Sequence, residues 1–227
     1  MPFWLNSIII ILIMSDTNSS NSYALRLAVL LLAAGQGSRL GSHPKALLKQ
    51  GGVTLLNRLL DAVEPFNPIE FIVVTGFYGD AIEQSFAQMD STFSRSIRLI
   101  RNPVPESGQA SSVRLGIEAL HSNFDALLIA LSDQPTITKV EIGQLLSAFS
   151  QRSAGTEIVL PMVHEQRGNP VLFSKKALQN TLAIPDLSCR AYMDAHPEQV
   201  QVWHTNNAAF VCDVDTPQDM KKHQLDF

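Results

Sequence analysis

Short apolar runs that alternate with amphipathic segments are the feature that most restricts the fold of this 227-residue chain. Each run suits a strand whose two faces are both buried in a parallel sheet. The segments between the runs carry apolar residues at intervals of three and four, which is typical of helices packed on such a sheet. The alternation predicts an α/β fold with a doubly wound, mostly parallel sheet. The predicted strands are Leu25–Ala34, Glu70–Thr75, Ile97–Ile100, Ala126–Leu131 and Glu157–Leu160, and the predicted helices are Thr54–Val63, Tyr78–Met89, Ser111–His121, Lys139–Phe149 and Thr216–Lys222.

Two parts of the chain depart from this alternation. Residues 161–201 are irregular and are predicted to hold a short strand, Val171–Phe173, followed by helices packed at the edge of the sheet. Residues 7–14 read SIIIILIM, which is too short to span a bilayer and lacks the preceding Lys or Arg of a signal peptide. We expect residues 1–24 to be a leader that is disordered or not translated, and residues 25–227 to form a single domain.

The composition excludes several classes of protein. The chain is 45% hydrophobic and 17% charged, which describes a globular protein with a sizeable core. Its net charge is −4, and no Lys/Arg run follows one face, which argues against a nucleic-acid partner. The two cysteines, Cys189 and Cys212, form neither a CxxC motif nor a disulfide framework. We expect a cytoplasmic protein that binds neither nucleic acid nor a membrane.

The segment after the first strand is rich in glycine and positive charge. Residues 33–41 read AAGQGSRLG, and Lys45 follows. Leu40 stands where a dinucleotide fingerprint has glycine, and the Gly-Lys-Ser/Thr of a Walker A loop is missing. A glycine turn with solvated basic residues is the simpler alternative, but glycines that let backbone amides approach an anion predict a triphosphate site. The predicted nucleotide-binding residues here are Ala33, Ala34, Gly35, Gly37, Ser38, Arg39 and Lys45.

Three further motifs accompany this loop in order. They are LSDQP at residues 131–135, RGNPVLF at 167–173 and DVDTP at 213–217. With the first loop, they resemble the nucleotidyltransferases that build molybdenum cofactor dinucleotides, and within these the molybdopterin cytidylyltransferases, over about residues 27–222. The resemblance implies a Rossmann-like nucleotidyltransferase fold. It also implies transfer of a nucleoside monophosphate from an NTP to the phosphate of a molybdopterin-type cofactor, with release of pyrophosphate.

The resemblance also bears on the nucleotide and on the partners. Cytidylyl members carry Leu-Ala-Ala-Gly where guanylyl members tend to carry Leu-Ala-Gly-Gly, so Ala34 favours CTP. A guanylyltransferase for the same cofactor, a transferase for another phosphorylated small molecule and a non-catalytic nucleotide-sensing module are the alternatives. A recipient molybdoenzyme or its chaperone is a further implied partner.

Three aspartates are the candidate metal ligands. Asp133 follows a buried strand, and Asp213 and Asp215 follow a predicted short strand, Phe210–Val211, whose alternation would place both on one face. Mg²⁺ takes one or two carboxylates together with phosphate oxygens and water, so the resemblance implies Mg²⁺ on Asp133 with Asp213 or Asp215. Asp215 could instead cap the last helix. Together with Arg39 and Lys45, Asp133 forms the predicted catalytic set.

An expectation about stability follows for Asp133. We expect this carboxylate to have no partner in the metal-free crevice. Asp133→Asn is therefore predicted to leave stability unchanged or higher.

The remaining candidates follow from the same resemblance. Gly108, Gln109 and Ser111 are implied contacts of the base and ribose, although Ser111 or Ser112 could simply cap the following helix. The implied acceptor-binding residues are Arg167, Gly168, Asn169 and Arg190. Residues 185–190 depart from the family pattern, because Pro185 and Ser188 stand where relatives usually carry glycine.

Overall fold

A computed structural model of the chain describes residues 25–89, 92–185 and 187–227, and the predicted leader lies outside these residues. The strands are β1 (Leu27–Ala33), β2 (Lys49–Gln50), β3 (Val53–Thr54), β4 (Glu70–Thr75), β5 (Arg98–Arg101), β6 (Ala126–Leu131), β7 (Ile158–Val163), β8 (Gln166–Arg167), β9 (Val171–Ser174), β10 (Val200–His204) and β11 (Leu225–Asp226). The helices are α1 (Leu55–Val63), α2 (Gly79–Ala87), α3 (Thr92–Arg95), α4 (Gln109–Glu118), α5 (Lys139–Ser150), α6 (Lys175–Ala183), α7 (Cys189–Ala195) and α8 (Pro217–Lys222).

The large sheet has the strand order β10-β7-β9-β6-β1-β4-β5, and β8 pairs with β7 outside this path. Strands β6, β1, β4 and β5 are mutually parallel, as are β7 and β10, whereas β9 runs antiparallel to both of its neighbours. A small antiparallel sheet joins β11, β2 and β3. The prediction of a mostly parallel α/β sheet in one domain is confirmed.

Strand β1 shows why the sheet has a core on each side. Alternate residues face opposite sides, so Val29 and Leu31 join one apolar cluster while Leu30 and Leu32 join the other. All seven residues of β1 are buried. Since burial of each Leu or Val side chain is worth about 1.5–3 kcal/mol, this strand holds the two layers of helices together.

The irregular part of the chain differs from its prediction. The run Val171–Ser174 is a strand, but it lies inside the sheet between β6 and β7, and all four of its residues are buried. Helices α6 and α7 then cover a face of the sheet, where Leu178 and Tyr192 join the second apolar cluster. The edge is instead occupied by β10, which sequence periodicity did not reveal because its residues are only partly buried.

The predicted strand at Phe210–Val211 is wrong. These residues belong to a short 3-10 helix, Ala208–Val211, capped by the side chain of Asn207. The side chain of Phe210 is fully buried and packs edge to face on Trp203. The apolar pair Phe210–Val211 therefore reflects burial of one aromatic ring and not a strand.

Among the described residues, no helix combines the length and the apolar character needed to cross a bilayer.

Candidate active site

Three parallel strands end side by side at one edge of the large sheet. Leu32 pairs with Leu131 of β6, and Ala33 pairs with Thr75 of β4. The segments that follow these strands leave the sheet at the same level, which is where open α/β sheets bind ligands. Between them lies a cavity of about 480 Å³, a volume typical of a small-molecule site. All residues predicted to bind the nucleotide line this cavity except Ser111.

The glycine loop has one glycine that shapes the turn and one that leaves room for a ligand. Gly37 adopts a left-handed backbone (φ 60°), and its carbonyl accepts the amides of Leu40 (2.9 Å) and Ser42 (3.1 Å). A Cβ at Gly37 would overlap the carbonyl of His43. A Cβ at Gly35 would meet nothing within 4 Å. The loop is therefore preformed at Gly37 and open to the cavity at Gly35.

Lys45 joins two carboxylates that come from distant parts of the chain. Its Nζ lies 2.9 Å from Asp133 Oδ2 and 2.5 Å from Asp215 Oδ1. The side chains of Lys45 and Asp133 are 17% and 21% exposed, whereas that of Asp215 is 47% exposed. Burial alone would lower the pKa of Lys45, but the two carboxylates outweigh burial and raise the pKa above its usual value. The ammonium is therefore a permanent positive charge on the cavity wall.

This ion pair changes the expectation for the stability of Asp133→Asn. The carboxylate of Asp133 was expected to be uncompensated, but Lys45 lies 2.9 Å from it and neutralises its charge. The prediction of unchanged or increased stability rested on the missing partner and is withdrawn. Because removal of one partner weakens a part-buried ion pair, a modest loss of stability is expected instead.

Asp215 is free to face the cavity because a neighbouring residue caps the last helix. The side chain of Thr216 accepts the amide of Asp219, and the carboxylate of Asp219 accepts the amide of Thr216. The alternative that Asp215 is the capping residue is therefore wrong. Arg39, whose side chain is 74% exposed, lies 3.6 Å from Oδ2 of Asp215, whereas Lys45 contacts Oδ1.

Asp213 lies in a different environment from Asp133 and Asp215. Its Oδ1 accepts a hydrogen bond from Nε2 of Gln134 at 3.0 Å, and Asp213 is not among the residues that line the cavity. Burial, together with the nearby negative charge of Asp133, raises the pKa of Asp213 to about 6. The two late aspartates therefore do not act alike, because no strand runs through residues 210–211 to set their side chains on one face.

The donors present fit a hard divalent ion. Among the described residues, no three His, Cys, Asp or Glu side chains are grouped as a complete metal site. Asp133 and Asp215 both line the cavity and already share one cation, the ammonium of Lys45. Proteins usually supply one or two carboxylates to a Mg²⁺ site, and phosphate oxygens and water complete the coordination. Asp133 and Asp215 are therefore the residues that fit such a site.

A buried asparagine anchors the first turn of helix α4. Asn102 donates to Ser111 Oγ (2.8 Å) and Ser112 Oγ (2.9 Å), and its Oδ1 accepts the amide of Val104 (3.0 Å). Neither serine caps helix α4, because Gly108 occupies the capping position with φ 91°. Ser112 lines the cavity and Ser111 does not.

Two residues of this site escaped sequence reasoning. Tyr78 follows β4, lines the cavity and donates its hydroxyl to the carbonyl of Gln36 at 2.8 Å, which ties the glycine loop to the next loop. Gln134 is 5% exposed and holds Asp213. The position of each residue directly after a predicted strand was the available signal.

The acceptor candidates lie outside the nucleotide cavity. Arg167 is bound to Asp194 at 2.6 Å, and Arg190 is exposed in the first turn of α7. Gly168 is buried, and a Cβ there would stand 2.8 Å from Phe210. The amide of Asn169 donates to the carbonyl of Phe210 at 2.8 Å. Gly168 and Asn169 thus fix the backbone, and only the two arginines present charge to solvent.

Comparisons with known proteins place this geometry in a family. The chain is 27% identical to the molybdenum cofactor cytidylyltransferase of Escherichia coli over 84% of this chain and 91% of that protein. It is 29% identical to nicotine blue oxidoreductase of Paenarthrobacter nicotinovorans over 84% and 92% of the two chains. It is 35% identical to the bifunctional protein GlmU of Francisella philomiragia over 55% of this chain. This chain spans only 26% of that GlmU.

Solved structures share the fold at low identity. Rv0371c of Mycobacterium tuberculosis superposes with a TM-score of 0.69 and 21% identity over 88% of this chain and 98% of that one. A structure of Rv0371c in complex with manganese gives a TM-score of 0.64 with 19% identity over 87% and 97%. A family model of the MobA-like NTP transferase domain matches residues 29–200 of this chain. The chain therefore belongs to the MobA-like NTP transferase family and is a nucleotidyltransferase.

Proposed function

We propose that this protein transfers CMP from CTP, with Mg²⁺, to the phosphate of a molybdopterin-type cofactor. The observation that carries the proposal is the cluster of Lys45, Asp133 and Asp215 beside a preformed glycine turn, inside a cavity large enough for a nucleotide. Similarity to the E. coli molybdenum cofactor cytidylyltransferase over nearly the full length of both chains supports the acceptor. The Ala34 of the Leu-Ala-Ala-Gly sequence supports CTP over GTP.

The nucleotide half of the site supplies positive charge and backbone amides to a triphosphate. Lys45, Arg39 and Gly35 all line the cavity, and the backbone is open to it at Gly35. Such preorganised charges stabilise the charge that develops on a reacting phosphate. Gly108, Gln109 and Ser112 also line the cavity, and we propose that they contact the base and ribose.

The proposed reaction is an in-line displacement. A phosphate oxygen of the acceptor forms a bond to the α-phosphorus of CTP while the bond from that phosphorus to the bridging oxygen breaks, and pyrophosphate leaves with the electron pair. No side chain needs to remove a proton, because a phosphomonoester with a second pKa of about 6 is already largely ionised at neutral pH. This chain's residues therefore act by positioning and charge neutralisation.

Asp133 and Asp215 are the residues that would hold Mg²⁺. When bound, the ion supplies positive charge against the phosphate oxygens. The structure of Rv0371c in complex with manganese supports a divalent ion in this fold. Asp213 accepts a hydrogen bond from Gln134 and lies outside the cavity lining, and we propose that it supports the site electrostatically.

The test is pyrophosphate release by the purified protein with CTP, GTP, ATP or UTP, each with molybdopterin cofactor and Mg²⁺. We expect pyrophosphate release when CTP and the cofactor are both present. Mass spectrometry should then detect the cytidylylated cofactor. Preference for GTP would identify a guanylyltransferase for the same cofactor.

Alternative acceptors are tested in the same assay. Release with CTP and a sugar phosphate or choline phosphate, but not with the cofactor, would contradict the proposed acceptor. The similarity to nicotine blue oxidoreductase is a reason to test the acceptor directly. An absence of release with every NTP and acceptor would contradict the transferase proposal itself.

A further inference from the structure

The position between Asp133 and Asp215 already holds a cation, and that cation belongs to the protein. Lys45 donates to both carboxylates, and its side chain is largely withdrawn from solvent at 17% exposed. The two carboxylates come from segments 88 and 170 residues away in sequence, so the fold alone brings the three groups together.

We propose that Lys45 acts as an exchangeable internal cation, which keeps divalent ions off Asp133 and Asp215 until a triphosphate draws its ammonium away. This inference rests on the proposed function, in which these two carboxylates hold the metal. It adds an order of events to that function: the metal enters the site with the nucleotide and not before it.

The exclusion follows from the charges and the available space. The ammonium of Lys45 is bonded to both carboxylates. A divalent ion bound by the same oxygens would lie close to this ammonium, and the two positive charges would repel each other. While Lys45 keeps both contacts, the oxygens Oδ2 of Asp133 and Oδ1 of Asp215 are satisfied. A metal ion arriving alone would have to displace the lysine and leave its charge without a partner in a half-buried site.

A triphosphate removes this obstacle. Lys45 lines the same cavity as Gly35 and Gly37, so a polyphosphate in the cavity offers its ammonium new anionic partners. Once Lys45 turns to the phosphate, Asp133 and Asp215 lose their counter-charge and attract the ion that the phosphates carry. Each ligand should therefore raise the affinity of the site for the other, as linkage requires.

The decisive measurement is Mn²⁺ binding to the full-length protein without nucleotide, followed by electron paramagnetic resonance of the free ion. Lys45→Met keeps the length of the side chain and removes its charge. We expect it to bind one Mn²⁺ at least ten-fold more tightly than the wild type. Lys49→Met is the matched control, because Lys49 lies four residues away and its Nζ contacts the main-chain oxygen of Phe227 at 3.5 Å. It should bind Mn²⁺ as weakly as the wild type.

A second measurement does not depend on the spectroscopic probe. Mg²⁺ alone should raise the melting temperature of Lys45→Met, because an ion that binds the folded state stabilises it. The wild type should respond to Mg²⁺ only when CTP is also present. Lys45→Gln serves as a second variant if the methionine variant does not fold.

Two results would overturn the inference. One is equal Mn²⁺ affinity in the wild type, Lys45→Met and Lys45→Gln. The other is a gain in affinity that survives addition of Asp133→Asn to Lys45→Met, since the ion would then lie elsewhere. These outcomes are distinguishable from failure of the proposed transferase activity, because pyrophosphate release by the wild type is measured separately and neither metal assay uses turnover.

Discussion

Two parts of the site, the proposed nucleotide half around Lys45 and the proposed acceptor half around Arg167 and Arg190, are built differently although they lie at the same edge of one sheet. In the nucleotide half, charged groups are partly buried and cross-linked, with Lys45 bonded to Asp133 and Asp215. In the acceptor half, Arg167 pairs with Asp194 at side-chain exposures of 38% and 51%, and Arg190 is exposed.

The difference indicates which part of the site is held in place by partly buried ion pairs and which part can rearrange at little cost. Part-buried ion pairs exchange only when another charge replaces the lost partner, whereas exposed pairs are worth about 0–1 kcal/mol and rearrange readily. The proposed nucleotide half therefore suits a triphosphate, the group that every NTP carries. The proposed acceptor half, whose arginines are exposed, leaves more freedom in the choice of acceptor.

The largest expected effect comes from Asp133→Asn. The variant keeps the size of the side chain but loses the charge that would hold Mg²⁺, so kcat should fall by at least about 10²-fold. Loss of one partner of Lys45 should also cost about 1 kcal/mol of stability. Asp125→Asn is the matched control, because Asp125 precedes the same strand and pairs with Arg26 at 2.6 Å. It should keep wild-type kcat, and equal kcat losses in both variants would contradict a special role for Asp133.

A pair of glycine variants separates ligand contact from loop architecture. Gly35→Ala places a methyl group in open cavity space, so we expect normal stability with the KM for CTP raised by about ten-fold. Gly37→Ala places an alanine at a positive φ, and its Cβ would overlap the carbonyl of His43, so both stability and CTP binding should fall. Melting curves and KM values on the same preparations make the comparison. Wild-type KM in Gly35→Ala would remove that residue from the nucleotide contact.

In the acceptor half, Arg190→Ala should raise the KM of the acceptor by about five-fold and leave the KM of CTP unchanged. The size is modest because an exposed charged hydrogen bond contributes little more than about 1 kcal/mol. Arg167→Ala should behave similarly but also release Asp194. Steady-state kinetics with each substrate varied in turn provides the test. Equal effects on both KM values would count against the division of the site into two halves.

The smallest effect concerns the pH dependence of stability. The pKa of Asp213 is raised to about 6 in the folded state from an ordinary 3.8. Between about pH 4 and pH 6, the folded state therefore keeps a proton on Asp213 that the unfolded state has released. The contribution of protonated Asp213 to the stability of the folded state is complete below about pH 4 and is lost as pH rises through about 6. Asp213→Asn cannot ionise, so above pH 6 in EDTA it should exceed the wild type by about 1 kcal/mol, a figure reduced for solvent screening. Urea unfolding at pH 5 and pH 7.5 measures it, and a difference between variant and wild type that does not change with pH would contradict the assignment.

Much of the nucleotide half could be predicted from the sequence. Continuous apolar runs such as Leu27–Ala33 indicate buried strands because burial on both faces leaves no room for polar alternation. The residues directly after those strands then indicate the binding edge, since parallel strands end at a common level. Lys45 and Asp133 were found in this way, and both line the cavity.

Other features depended on contacts between distant residues. The sequence could not show that β9 inserts between β6 and β7, because a four-residue run carries no information about its neighbours. It could not separate Asp213 from Asp215, whose environments differ because Gln134 reaches one and Lys45 the other.

Local patterns in the sequence therefore determined the strands, the loops and the chemical groups available to the site. The tertiary structure alone decided which of those groups meet, because Lys45, Asp133 and Asp215 are brought together only when β1, β6 and the segment before α8 pack at one edge. Pairing of charges across 88 and 170 residues depends on the whole fold, and no local propensity encodes it.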